Sequence, residues 1–165
     1  MRDALLAFGP LLGVIVGGLI AWLNSRSQAA RQEIRERKQL IRGKLEDLHQ
    51  LVADFIEYYR CLTFTHVRDP NKLRRVSSST VDLVPFDRIE MLVGIYAPEL
   101  SVYVKTIARI TGEYSVPFTK LLGDEEWSET EKASLRSSVA KLSFELVETC
   151  AQMQQEIIAV SKNYV

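Results

Sequence analysis

Residues 41–62 read IRGKLEDLHQLVADFIEYYRCL. Within them Ile41, Leu45, Leu48, Val52, Phe55, Tyr59 and Leu62 follow one another at alternating steps of four and three, the spacing of one helix face and not the two-residue alternation of a strand. A heptad stripe of this kind must pack on another helix. Leu40, Leu51, Ile56 and Tyr58 widen the apolar face beyond a two-stranded seam, so a bundle is expected rather than a bare coiled coil. No proline interrupts residues 24–65, and one long helix is predicted across them. Gly43 is its weakest point, at about 1 kcal/mol relative to Ala.

Working downstream, Asp69-Pro70-Asn71 and the run Ser77-Ser78-Ser79-Thr80 mark a flexible loop over 67–84. Pro85 suits the first turn of a helix whose face carries Phe86, Ile89, Leu92, Val93 and Tyr96. Pro98 ends or kinks that helix near Ala97 and can open the next, which carries Leu100, Val104, Ile107, Ile110 and Tyr114. A kink is expected at Pro117 and a C-cap at Gly123. Ser128-Glu129-Thr130-Glu131 matches a capping box and starts the last helix, preceded by acidic Asp124, Glu125 and Glu126. Its apolar face runs through Leu135, Val139, Leu142, Leu146, Met153, Ile157, Val160 and Tyr164. No strand pattern survives comparison with a helical one. The expected soluble part is therefore an all-α, antiparallel helical bundle of two long helices with one or two shorter ones between them.

Working upstream, residues 4–23 read ALLAFGPLLGVIVGGLIAWL, with no polar or charged side chain. A helix of that length rises about 30 Å, the thickness of a bilayer's hydrocarbon core, so an N-terminal transmembrane helix is expected. Trp22 falls where aromatic residues anchor at the interface. A cleaved signal peptide is the rival reading, but its apolar region runs only about 7 to 15 residues. Gly9, Gly13 and Gly17, continued by Ala21, recur every four residues and form a flat stripe suited to helix–helix association.

The net charge of zero hides an asymmetry. Residues 24–44 carry seven basic against two acidic side chains, a net +5, and residues 45–165 carry thirteen against eighteen, a net −5. Arg26, Arg31, Arg35, Arg37 and Lys38 are candidate contacts for anionic lipid headgroups, at roughly 1 kcal/mol each. Basic residues after the span outnumber those before it, where only Arg2 stands. That bias predicts an exterior N-terminus and a cytoplasmic helical domain on the cell's inner membrane. The expected organisation is a short exterior N-terminus and span over 1–23, a basic juxtamembrane helix over 24–44, and a cytosolic bundle over 45–165.

Glu46-Asp47-Leu48-His49 supplies one Glu-x-x-His unit of a di-iron bundle, but His66 has Thr63 where the second unit needs Glu. Cys61 and Cys150 lack Cys-x-x-Cys spacing and read as buried core thiols. No phosphate-cradling glycine loop and no nucleophile elbow is present. The acidic balance beyond residue 44 argues against nucleic acid. No catalytic residue, cofactor, metal or small-molecule substrate is expected.

The layout of exterior N-terminus, glycine-rich span, basic helix and helical domain resembles a loose group of small uncharacterised bacterial single-pass membrane proteins. Ile95-Tyr96-Ala97-Pro98-Glu99-Leu100 is similar to a Tyr-x-Pro-Glu-Leu stretch common among them. The resemblance implies a bacterial source and no activity. The functional expectation is a membrane-tethered, non-enzymatic interaction or scaffold protein that forms a homo-oligomer or docks a membrane partner. A membrane-active effector of the toxin or phage-defence type, and a regulatory subunit of a membrane complex, are the alternatives.

Overall fold

The computed structural model describes the backbone of residues 2–68, 86–122 and 127–164, and the side chains of 16–63, 86–121 and 127–164. Its elements are α1 (Arg2–Arg68), α2 (Phe86–Tyr96), a 3-10 turn (Pro98–Leu100), α3 (Ser101–Leu122), α4 (Glu129–Ser161) and a last 3-10 turn (Lys162–Tyr164). Among the described residues every regular element is helical, so the all-α expectation holds. Residues 67 and 68 of the predicted loop over 67–84 belong to α1; the rest of that loop, the cap at Gly123, the acidic triplet 124–126 and the His66 side chain lie outside the described residues. The chain forms two compact units, Met1–Leu40 and Ile41–Val165.

The second unit is a helical bundle. Leu45, Leu48, Val52, Phe55 and Tyr59 on α1 are buried, as their spacing predicts. Ile41 and Leu62 at the stripe's ends are half-buried, and Leu40 stands 55% exposed, so it does not widen the core face. Opposite them, the buried face of α4 is Val139, Ser143, Leu146, Cys150, Met153, Ile157 and Val160. These seven again step by four and three, the spacing of a helix face packed in a bundle. Ser143 and Cys150 hold seam positions that an apolar count passes over. Gln154 Nε2 on α4 donates to the His49 carbonyl at 3.3 Å, and Thr63 Oγ1 donates to Ser143 Oγ at 2.7 Å. As α1 ascends, its partners on α4 descend in number, which makes the pair antiparallel.

The joints follow from local chemistry. After α2 ends at Tyr96, the Ala97 amide donates back to Val93 O at 3.0 Å. Pro98, lacking an amide hydrogen, then sits in the first turn of the 3-10 segment that leads into α3. Buried Ala97 and Leu100 pin this corner to the core. The expected kink at Pro117 does not end the helix, since α3 runs on to Leu122. At the start of α4 both bonds of the capping box form: Glu131 N donates to Ser128 Oγ at 3.3 Å, and Ser128 N donates to Glu131 Oε2 at 2.9 Å.

From Arg2 to Arg68 α1 passes both the apolar run and Gly43 without a break. Every described side chain from Val16 to Leu40 is exposed. Among the described residues no helix is long and apolar enough to cross a membrane; the side chains of 4–15, most of the expected span, lie outside them.

Candidate functional site

Two regions carry features that packing alone does not explain. The first is the exposed stretch of α1 from Val16 to Lys38. Val16, Leu19, Ile20, Trp22 and Leu23 are all more than half exposed, an unusual density of large apolar groups facing outward. Gly17 has open space where a Cβ would stand, with nothing within 4 Å, and Ala21 is exposed. Gly9 and Gly13 belong to the same helix, but their surroundings lie outside the description. At Gly17, therefore, no described part of this chain covers the stripe.

One turn on, the Arg26 guanidinium lies 5.5 Å from the centroid of the Trp22 ring. Such a cation–π pair ties the first basic residue to the aromatic at the edge of the apolar run. Arg31, Arg35, Arg37 and Lys38 are exposed, and Gln32 Nε2 donates to Glu36 Oε1 at 2.9 Å on the same helix. These predicted headgroup contacts are therefore on the surface, spread around and along one helix.

The second region is a groove of about 730 Å³ in the bundle, between Glu57, Cys61 and Thr63 of α1 and Ser143, Phe144 and Val147 of α4. At its floor Thr63 bonds Ser143, and the Tyr114 hydroxyl lies 3.4 Å from Thr63 Oγ1. Tyr114 packs edge-on to Tyr59 at 5.2 Å and stacks on Phe118 at 5.2 Å. Burial pushes the Tyr114 phenol up to about 12, partly offset by the Thr63 hydroxyl, and raises Tyr59 in the same direction. The Thr111 hydroxyl opposes the rise at Tyr59, yet its geometry falls short of a hydrogen bond and Thr111 Oγ1 is buried without one. At the rim Phe144 is 72% exposed. The sequence held one signal for it: Phe144 is a large apolar residue beside, not on, the seam through Ser143 and Leu146.

The described residues singled out in the sequence for metal or thiol chemistry lie apart from both regions' centres, save Cys61. Glu46 is drawn to Arg42 at 3.1 Å and Asp47 to Lys44 at 2.9 Å, both on the surface of α1, while His49 is half-buried. Lys44 holds the Asp47 carboxyl below its usual range. Among the described residues no group of three or more His, Cys, Asp or Glu could hold a metal ion. Cys150 is buried, and burial pushes its thiol up to about 12, which suppresses the reactive thiolate. Cys61, expected in the core, is exposed beside the groove. It sits two positions beyond Tyr59, and that rotation carries it off the seam. Comparison with protein-family models, with curated proteins and with solved structures found no match.

Proposed function

We propose that the chain is a membrane-tethered, non-enzymatic interaction protein, held by residues 4–23 in a bilayer and presenting its helical bundle to a partner on the cytoplasmic side. The observation that carries this reading is the outward-facing apolar set Val16, Leu19, Ile20, Trp22 and Leu23. It closes a twenty-residue stretch without a polar side chain and leads directly into exposed basic residues. Full burial of each such side chain is worth about 1.5–3 kcal/mol, and no described part of the chain supplies it, whereas lipid would. The Trp22–Arg26 pair then falls at the boundary where aromatic and basic groups are favoured.

The basic excess after the span orients it with the N-terminus outside and the bundle inside. In this reading the all-helical bundle, with its exposed Phe144 and groove, is a binding module rather than a catalyst. A reporter fused after Val165 tests the orientation. An enzyme active only in the cytoplasm is expected to work there, and one active only in the periplasm to stay silent. The opposite pattern overturns the placement of the bundle.

A further inference from the structure

We infer that the groove between α1 and α4 is a binding site for a small aromatic carboxylate. The inference rests on the reading of the bundle as a binding module and does not depend on the membrane tether. The α4 wall of the groove is one helix face, since Ala140, Ser143, Phe144 and Val147 follow at i, i+3, i+4 and i+7. Ala140 carries a single methyl and leaves space one turn before Phe144, whose side chain is 72% exposed. A planar apolar group laid over Ala140 and Val147 would meet the Phe144 ring, and such ring pairs are favoured beyond the area they bury.

The floor of the groove offers a donor. Ser143 is only 5% exposed and lines the groove. Its Oγ accepts the Thr63 hydroxyl at 2.7 Å, so its own proton is left to donate, and no described residue receives it. A buried donor in that position is unfavourable until an acceptor arrives. A ligand oxygen placed over the floor supplies one.

Arg60 sets the charge of the ligand. At about 100° per residue, Thr63, Arg60 and Glu57 follow one another around α1 at intervals of about 60°. Thr63 touches α4, so Arg60 stands over the groove and Glu57 on its outer rim. Arg60 is exposed and pairs with no described carboxylate, Glu57 included. A guanidinium, which donates and cannot accept, beside a hydroxyl with a proton to give, selects a carboxylate over an alcohol. Glu57 opposes that choice, but it is exposed on the rim, where water and salt screen its charge. It is the single acid among the residues that line the groove, so a metal ion has too few ligands there.

The test is calorimetric titration of the full chain in nanodiscs of zwitterionic lipid, with empty nanodiscs as the blank and naphthoate, naphthylmethanol and hexanoate as probes. At low salt naphthoate should bind about fivefold more tightly than naphthylmethanol, the upper end for one exposed charge pair. Arg60→Gln should bring the two level, and Glu57→Gln should tighten naphthoate by about twofold without changing naphthylmethanol. Phe144→Ala should weaken both naphthyl probes alike, by about fivefold. Ser143→Ala should weaken naphthoate about tenfold, but it also takes the acceptor from Thr63, so the decision falls to Arg60→Gln at an exposed site. Equal binding of naphthoate and naphthylmethanol, or an unchanged preference in Arg60→Gln, overturns the site. So does the absence of binding, which would leave the groove to a protein partner. Hexanoate binding as tightly as naphthoate overturns the aromatic body. Failure of the chain to enter nanodiscs refutes the tether alone, and the same titration of the chain in buffer then decides the ligand.

Discussion

Replacing Leu48 with Ala probes the contact on which the bundle depends. Leu48 is 0% exposed, at the centre of the α1 seam, with Leu45 and Val52 buried on either side. Removing three carbons there loses their transfer free energy and leaves a cavity that two long rigid helices cannot readily close, so about 3 kcal/mol of stability should be lost. For a unit of this size that lowers the melting temperature by about 12 °C. Leu40→Ala, eight residues earlier on the same helix, removes the same atoms from a site already 55% exposed and should cost no more than about 0.5 kcal/mol. Urea titration of the full chain in neutral detergent, followed by circular dichroism, gives both values. Equal losses at the two positions would refute the heptad seam as the source of the bundle's stability.

Three further outcomes are expected. A bulky thiol reagent should label Cys61 in the native chain and leave Cys150 untouched until unfolding, as mass spectrometry of the peptides would show; early labelling of Cys150 contradicts its burial. Ser128→Ala should cost about 1 kcal/mol through the lost cap, and the cap should weaken in acid: the Glu131 carboxyl is lowered by its bonds to Ser128, so its stabilising effect is present above about pH 4.5 and lost as pH falls through the lowered value. In base the signs reverse. Tyr114 and Cys150 are raised to about 12, so their contributions are complete below their ordinary values of 10.0 and 9.0 and are lost as pH rises towards 12. Alkaline unfolding should therefore begin in that window, and an unchanged melting temperature up to pH 12 would contradict it.

Much of the bundle was legible because helical spacing states both element and buried face. The α1 stripe, the Pro98 corner and the Ser128 capping box each follow from a local rule, and each forms as expected. Other features required partners that no local rule supplies. Ser143 is buried because Thr63, eighty positions earlier, donates to it, and a serine alone gives no sign of that. Cys150 and Ser143 complete the α4 seam, yet an apolar pattern substitutes Leu142, which is only half-buried. Leu40 looks like core by type, but it lies in the first unit, where no described side chain is buried. Pro117 lies inside α3, and half-buried Phe118 and Leu121 beyond it pack on the core, so the helix continues past it. The groove beside Phe144 depends on two helices far apart in sequence, so spacing within either one could not reveal it.

The membrane tether is tested most directly by extracting membranes from cells that produce the full chain. At alkaline pH in carbonate, peripheral proteins are released while a spanning helix keeps its chain in the pellet. The full chain should stay with the membrane and be released only by detergent, and a chain lacking residues 1–23 should appear in the soluble fraction. Release of the full chain by carbonate alone would contradict the tether and return Val16, Leu19, Ile20, Trp22 and Leu23 to a surface needing a protein partner instead of lipid.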